Sequence, residues 1–344
     1  MKSKIIIRAD GGTSIGMGHV IRCLALAEML KNDFTISFAI QKPLDSVIKI
    51  IHTITETILH LPATDDYSLD SIHFSEFLEP NDIVILDGYN FKTDYQKIIK
   101  DKGCKLIAID DLHSWHQFAD VIINHAAGIK ETDYSKEKYT KLYLGLDYVL
   151  LRKPFIFAST KIKHTDSIKK VFISMGAADI NNLTQKFTEA LIQTGTIEEI
   201  HLMLGGINPN IQSIDKLIEQ NRQINIVKHF DISAEQLASL LKKTDLAICP
   251  ASTISLEACS IGIGLISGYT AENQKGNIEG LEKRKTLINL GDFNTLPKDK
   301  IISMLKIYFE KPSLFDTIIL NQKVIIDGKS PERIRNIFKN LRNG

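Results

Sequence analysis

Cysteine is scarce in this chain and never closely paired. Its four cysteines, Cys23, Cys104, Cys249 and Cys259, are scattered, with no C-x-x-C spacing. That pattern excludes a disulfide framework and a cysteine zinc site, and fits reduced thiols buried in strands and helices. An excess of charge is equally lacking, because 42 Lys and Arg stand against 41 Asp and Glu, a net +1. The balance gives no basic footprint for nucleic acid or an anionic membrane, so any anion site must be local. Long apolar runs are missing too. The start, MKSKIIIRADGG, has three consecutive apolar residues before charge returns, which suits neither a signal peptide nor a transmembrane helix. Internal repeats and low-complexity tracts are absent. What remains is a cytoplasmic, globular and monomeric expectation, with about two domains for a chain of 344 residues.

Three familiar motifs are incomplete. Gly16-Met17-Gly18 suggests a dinucleotide fingerprint, but Ile21 takes the place of its third glycine. The second strand runs out at Ala39-Ile40-Gln41-Lys42 with no acid for a ribose, so NAD is disfavoured. Gly328-Lys329-Ser330 resembles the end of a P-loop, yet Lys323 holds the leading glycine position and Pro331 follows. His113 and His116, just after Asp110 and Asp111, have no firm helical register and read as a polar loop at a strand end. No metal or cofactor is expected.

The richest stretch present is IIIRADGGTSIGMGHVIRCLALA, residues 5–27. Ile5, Ile6 and Ile7 read as a strand buried on both faces. Gly11, Gly12, Gly16 and Gly18 make a loop able to turn sharply and approach a ligand. Val20, Cys23, Leu24 and Ala27 then recur at helical spacing, which puts His19 at or near the first helical turn. That end of a helix favours anions and disfavours an imidazolium, so His19 is expected to be neutral near pH 7 and able to accept a proton. The plainer alternative is a tight βα turn in which His19 only caps the helix.

Apolar runs and helical patterns alternate onward, with strands expected at 34–40, 82–88, 104–111 and 119–125. A lysine-rich polar stretch, 159–170, reads as a linker. The rhythm restarts with strands at 170–175, 200–205, 224–229, 245–250 and 264–267, and a last helix spans Pro331 to Arg342. Strand and helix in alternation predict an α/β fold with parallel sheets covered on both faces. Polar residues close the strands: Asp87-Gly88-Tyr89, Asp110-Asp111 and Asn124-His125. Ligands of such sheets bind beyond the carboxyl ends of the strands. Ser252 and Thr253 open a helix where they can cap it or bond a phosphate, and Glu257 lies one turn on, either as a solvated residue or as a ribose acceptor. Asn273 and Gln274 begin a further helix and offer both donors and acceptors.

In this order, RAD, IGMGHVIRCLALA, DGY, IDD, YVLLRKPF, SMGAAD, ASTISLE and AENQ resemble the UDP-2,4-diacetamido-2,4,6-trideoxy-β-L-altropyranose hydrolases of pseudaminic acid biosynthesis. The similarity runs from about Ile5 to Gly291. The resemblance implies a GT-B architecture like that of the glycosyltransferase making lipid II, with two Rossmann-like domains of mostly parallel strands facing across a cleft. Their expected bounds are 1–158 for the domain with the His loop and 168–325 for the UDP-binding domain, with a helix at 326–344 packing back on the first. The implied reaction is metal-independent cleavage of the sugar C1–O bond by water, with inversion and without a cofactor. Only the UDP-sugar and water are expected partners.

By the same resemblance, His19 activates the water; from their positions alone, Asp10 and Tyr89 are expected to contact the sugar or tune His19, and Gly16, Gly18 and Arg22 to bind substrate on the sugar side. Gly176, Ser252, Thr253, Glu257, Asn273 and Gln274 bind UDP. The sequence departs from the family pattern at Ala177-Ala178, Pro250-Ala251 and Ser255, all near the nucleotide. Two alternatives stand beside this reading: a glycosyltransferase of the same architecture, and a non-catalytic nucleotide-sugar binder.

Overall fold

A computed structural model describes residues 3–11, 17–156 and 166–343. The greater part of the expected linker, 157–165, lies outside them, as does Gly16. The chain divides into two compact units, Met1–Arg152 with Gly328–Gly344, and Lys153–Asp327.

The first unit contains β1 (Lys4–Ala9), α1 (Gly18–Leu30), β2 (Thr35–Gln41), α2 (Asp45–His52), β3 (Ile58–Leu61), α3 (Tyr67–Ser75), β4 (Ile83–Asp87), α4 (Thr93–Asp101), β5 (Lys105–Ile109), β6 (Val121–Asn124) and β7 (Lys141–Leu144). Its seven strands are ordered β3-β2-β1-β4-β5-β6-β7, and every pairing is parallel. The central strands are apolar runs because both of their faces are covered. Ile5, Ile6, Ile7, Val84 and Ile85 are all fully buried. The edge strands β3 and β7 carry no such run and are half-exposed, which is why periodicity left them unread.

In the second unit follow α5 (Lys153–Ile156), β8 (Lys170–Ser174), α6 (Leu183–Ile192), β9 (Glu199–Leu204), α7 (Ile211–Gln220), β10 (Asn225–Phe230), α8 (Ala234–Lys243), β11 (Leu246–Pro250), α9 (Thr253–Ile261), β12 (Gly264–Tyr269), α10 (Lys275–Lys283), β13 (Ile288–Asp292), α11 (Lys298–Phe309) and α12 (Ser313–Ile325). The sheet order is β10-β9-β8-β11-β12-β13, again parallel throughout. Local signals agree with the elements. Ser233 and Gln236 form a reciprocal capping box at the start of α8. Asp179 accepts from the Leu183 and Thr184 N–H groups at the start of α6.

The last helix, α13 (Ser330–Asn343), belongs to the first unit and starts one residue earlier than its Pro331 suggests. It packs on α1, where Phe338 is fully buried and sits edge-on to Phe34 at 6.1 Å. Covered by the sheet on one side and α13 on the other, α1 is apolar nearly all round, as a buried helix should be. No described helix is long and apolar enough to cross a membrane.

Candidate active site

In the first sheet, β1 lies between β2 and β4. The connections leave β1 to one side and β4 to the other, so the strand order reverses there and opens a crevice at the carboxyl ends. Asp10, just after β1, and the loop after β4 line this place. Ala9 and Asp87 are direct partners across the two strands, which sets Asp87 level with the point where the chain leaves β1 for α1.

His19, in the first turn of α1, is 5% exposed. Its Nδ1 lies 2.6 Å from Asp87 Oδ1. With a proton on Nδ1 donated to the carboxylate, Nε2 keeps the lone pair, the tautomer a general base needs. Arg22, one turn along α1, holds the same carboxylate with two bonds: Nε donates to Oδ2 and Nη2 to Oδ1, both at 2.6 Å. Arg22 Nη1 donates to Asp111 Oδ2 at 3.1 Å, after β5. Cys23 Sγ adds a weak bond to Asp87 Oδ2. Burial alone would raise the Asp87 carboxyl, but the Arg22 guanidinium and His19 outweigh it and hold it well below the ordinary carboxylate range.

His19 also lines a cavity of about 170 Å³ with Asp10, Tyr67, Gly88, Tyr89, Asn90 and Phe91. The Tyr89 ring meets the His19 ring edge-on, with centroids 4.6 Å apart. Asp10 is fixed from behind. Its Oδ1 accepts from Arg8 Nη1 at 2.5 Å and from the Gln41 N–H, while Oδ2 accepts from Tyr67 Oη at 3.2 Å. Arg8 is fully buried and also bonded to Asp70, which in turn accepts from Gln41 and Tyr95. A polar network with each partner satisfied makes a rigid wall.

The structure therefore brings Asp10, His19 and Tyr89 to one cavity. Arg22 sits behind His19, 7% exposed and turned to two carboxylates. Gly18 is the exposed first residue of α1. The partner that sequence reasoning missed is Asp87, which it had noted only as a polar residue ending a strand.

In the second sheet the order reverses between β8 and β11. Gly176, after β8, has φ +89°, a conformation that favours glycine. Its loop is held by Gly205 after β9, where a Cβ would lie 2.3 Å from the Ala177 carbonyl oxygen. After β11, Ser252 is the N-cap of α9 by position, yet its side chain makes no capping bond. Thr253 opens the helix, and Glu257, a turn on, is 2% exposed rather than solvated. Asn273 and Gln274 follow β12 in a 3-10 turn, where Gln274 Oε1 accepts the Thr270 N–H at 2.8 Å. Asn277 Nδ2 donates to the Ala251 carbonyl and ties α10 to the loop before α9. All six residues thus lie beyond the carboxyl ends of three adjacent strands.

The two loop histidines are separately engaged. His113 packs edge-on to Tyr134, whereas His116 contacts Ser135 and Glu137. Among the described residues, no three His, Cys, Asp or Glu side chains are grouped to hold a metal. The four cysteines are buried and unpaired with one another, and burial pushes the Cys259 thiol up to about 12.

No protein-family model matches the chain. Among curated proteins it is 31% identical over 290 residues to an uncharacterised protein of Methanocaldococcus jannaschii, covering 79% of this chain and 57% of that one. The chain thus spans little more than half the length of that relative. It is 27% identical over 284 residues to the UDP-2,4-diacetamido-2,4,6-trideoxy-β-L-altropyranose hydrolase of Campylobacter jejuni, covering 82% of this chain and 97% of that protein. It is 23% identical over 345 residues to the spore coat polysaccharide biosynthesis protein SpsG of Bacillus subtilis, covering 97% of each. Of solved structures, MurG of Acinetobacter baumannii superposes with a TM-score of 0.66 at 12% identity, covering 99% of this chain and 100% of that one. The UDP complex of MnaA from S. aureus gives 0.68 at 12% identity, covering 99% and 97%. At that identity these likenesses speak for the fold alone, which is GT-B.

Proposed function

We propose that this protein is an enzyme that hydrolyses a UDP-sugar, with UDP-2,4-diacetamido-2,4,6-trideoxy-β-L-altropyranose as substrate, in pseudaminic acid biosynthesis. The observation that carries the reading is the His19–Asp87 pair at the strand-order reversal of the first sheet, beside a cavity walled by Asp10, Tyr67 and Tyr89. The distant similarity to the Campylobacter hydrolase, over most of both chains, supports the choice of reaction and sugar.

In this reading His19 Nε2 accepts a proton from water as the water oxygen bonds to C1 of the sugar. The bond from C1 to the diphosphate oxygen breaks, UDP leaves with the electron pair, and C1 inverts. A placed water and a base beside it supply the main advantages of such a site. Space for that water opposite the leaving group is what inversion requires. Gly18, Tyr89 and Asp10 are assigned to the sugar, together with Gly16 from the glycine loop. Gly176, Ser252, Thr253, Glu257, Asn273 and Gln274 are assigned to UDP. The N-terminus of α9, with a serine hydroxyl not spent on capping, suits the charge that builds on the diphosphate. No metal is assigned a role.

The test is incubation of the purified protein with this substrate in ¹⁸O-water and EDTA, with no acceptor. The expected result is free UDP without label and free sugar carrying one ¹⁸O at C1. UDP release that waits for an added sugar or lipid acceptor would make the protein a transferase instead. Label in the UDP would place cleavage at phosphorus, and loss of turnover in EDTA would overturn metal independence.

A further inference from the structure

We propose that Arg22 is a positioning residue: its guanidinium clamps and neutralises Asp87, so that Asp87 orients His19 without trapping a proton on it. The inference rests on His19 acting as the base, and it replaces the sequence expectation that Arg22 binds substrate.

The geometry is that of a filled clamp. Arg22 Nε and Nη2 meet Asp87 Oδ2 and Oδ1 at 2.6 Å each, and Nη1 meets Asp111 Oδ2 at 3.1 Å. Three of the five guanidinium N–H donors are thereby committed to carboxylates, in a residue 7% exposed. Little of it is left for a ligand. The clamp is also local to the base. Arg22 follows His19 by three positions on α1, on the same face, and its Nη2 lies 3.3 Å from His19 Nδ1.

A buried carboxylate next to an imidazole favours the imidazolium, which cannot act as a base. The opposing charge must come from elsewhere, and Arg22 supplies it at the two oxygens concerned. His19 itself also shares its cavity with Asp10, whose carboxylate is bonded by Arg8, the Gln41 N–H and Tyr67, and with Tyr89, whose ring lies edge-on to it. Asp87 faces Arg22 from β4, Asp111 from the loop after β5, and His19 and Cys23 from α1 itself. The Cys23 thiol is pushed up by burial and stays neutral. His125, after β6, is held down to about 4, chiefly by burial and then by Arg22, and is neutral at ordinary pH. Arg22 thus stands as one positive charge between two carboxylates, with the closer one turned to His19. Asp111 anchors the outer nitrogen and keeps the fork in register with Asp87. Its side chain is 23% exposed, so its own charge is partly screened.

The test compares Arg22→Gln, Arg22→Lys and Asp111→Asn in the full chain. Three readouts are taken: the pH profile of kcat/KM, the affinities for UDP and for the UDP-sugar, and the NMR titration of the His19 ring, assigned by its loss in His19→Asn. For Arg22→Gln the acid limb and the ring midpoint should both move up by about one pH unit or more, the shift that a neighbouring opposite charge ordinarily brings. Activity on the acid side should fall by up to about tenfold at a given pH and be regained on the alkaline side, with UDP affinity within about twofold of the parent. Arg22→Lys should fall between, because it keeps the charge and loses the fork. Asp111→Asn leaves more of the Arg22 charge on Asp87 and should move the limb slightly the other way. Unmoved midpoints in these variants would overturn the clamp. So would a more than tenfold loss of UDP-sugar affinity with the limb in place, which would return Arg22 to the substrate. Should Arg22→Gln not fold, the opposite-signed shift in Asp111→Asn decides. A protein with no turnover on any UDP-sugar would sink the hydrolase reading, and the ring titration would still decide on the clamp.

Discussion

Asp87 Oδ1 lies 2.6 Å from His19 Nδ1, although 68 positions of chain separate the two residues. One ends a central strand and the other begins the helix after its neighbouring strand. A buried acid on one nitrogen of an imidazole fixes which nitrogen carries the proton, and so which one is left to act.

His19→Asn should therefore lower turnover by roughly 10²–10⁴-fold, the usual worth of a general base. UDP affinity should change little, because the residues assigned to UDP lie in the other unit. Steady-state rates paired with calorimetric UDP binding would check this. Retained turnover would leave His19 a structural residue.

Asp87→Asn acts on both stability and rate. It leaves the buried Arg22 guanidinium with Asp111 alone and lets the His19 ring take the wrong tautomer. Breaking a buried ion pair from one side costs about 3–5 kcal/mol, and the rate should fall by roughly 10²–10⁴-fold. Thermal unfolding and kcat are the measurements. A variant as stable and as active as its parent would refute the pairing.

Glu257→Gln probes the second unit. In the proposed reading this nearly buried carboxylate, one turn into α9, accepts bonds from a ribose diol. Losing a hydrogen bond to a charged group costs about 1.5–3 kcal/mol, so UDP should bind roughly 10–100-fold more weakly. At saturating substrate kcat should be largely kept. An unchanged UDP affinity would remove Glu257 from the nucleotide site.

His125 should give the first unit a pH-dependent stability. Burial, helped by Arg22, holds its imidazole at about 4, against 6.5 when unfolded. Between those values the unfolded chain binds the extra proton, so stability rises with pH there. The contribution is complete above pH 6.5 and is lost as pH falls towards 4. Tm measured from pH 7.5 down to 4.5 should fall less steeply in His125→Asn than in the parent. Parallel slopes would contradict this assignment.

Much of this was legible in the sequence, and the limits have physical causes. Ile5, Ile6 and Ile7 announced a strand buried on both faces, and the Val20-Cys23-Leu24-Ala27 spacing announced α1, so His19 could be placed within a turn. The edge strands β3, β7 and β13 escaped because a half-exposed edge needs no continuous apolar run. The partner of His19 escaped for another reason. Periodicity reports which face of an element is buried, not which strand will lie beside it, and β4 reaches β1 only through the topology. Arg22 was expected on the sugar side because nothing in the sequence links it to Asp87 and Asp111, the two carboxylates its guanidinium meets. Likewise Asp10 was expected to meet a ligand, yet nothing in the sequence linked it to Arg8 and Asp70, 62 positions apart.

The return of α13 to α1 also fixes an order of assembly. The first unit is written in two pieces, with the whole of the second inserted between them. During synthesis the strands of the first unit emerge early, but Phe338 arrives only after the insert has been made. At about 5–20 residues per second, that interval is roughly 10–40 s. The second unit can close its core in the meantime, while the outer side of α1 still lacks α13. The half that carries His19 therefore matures last.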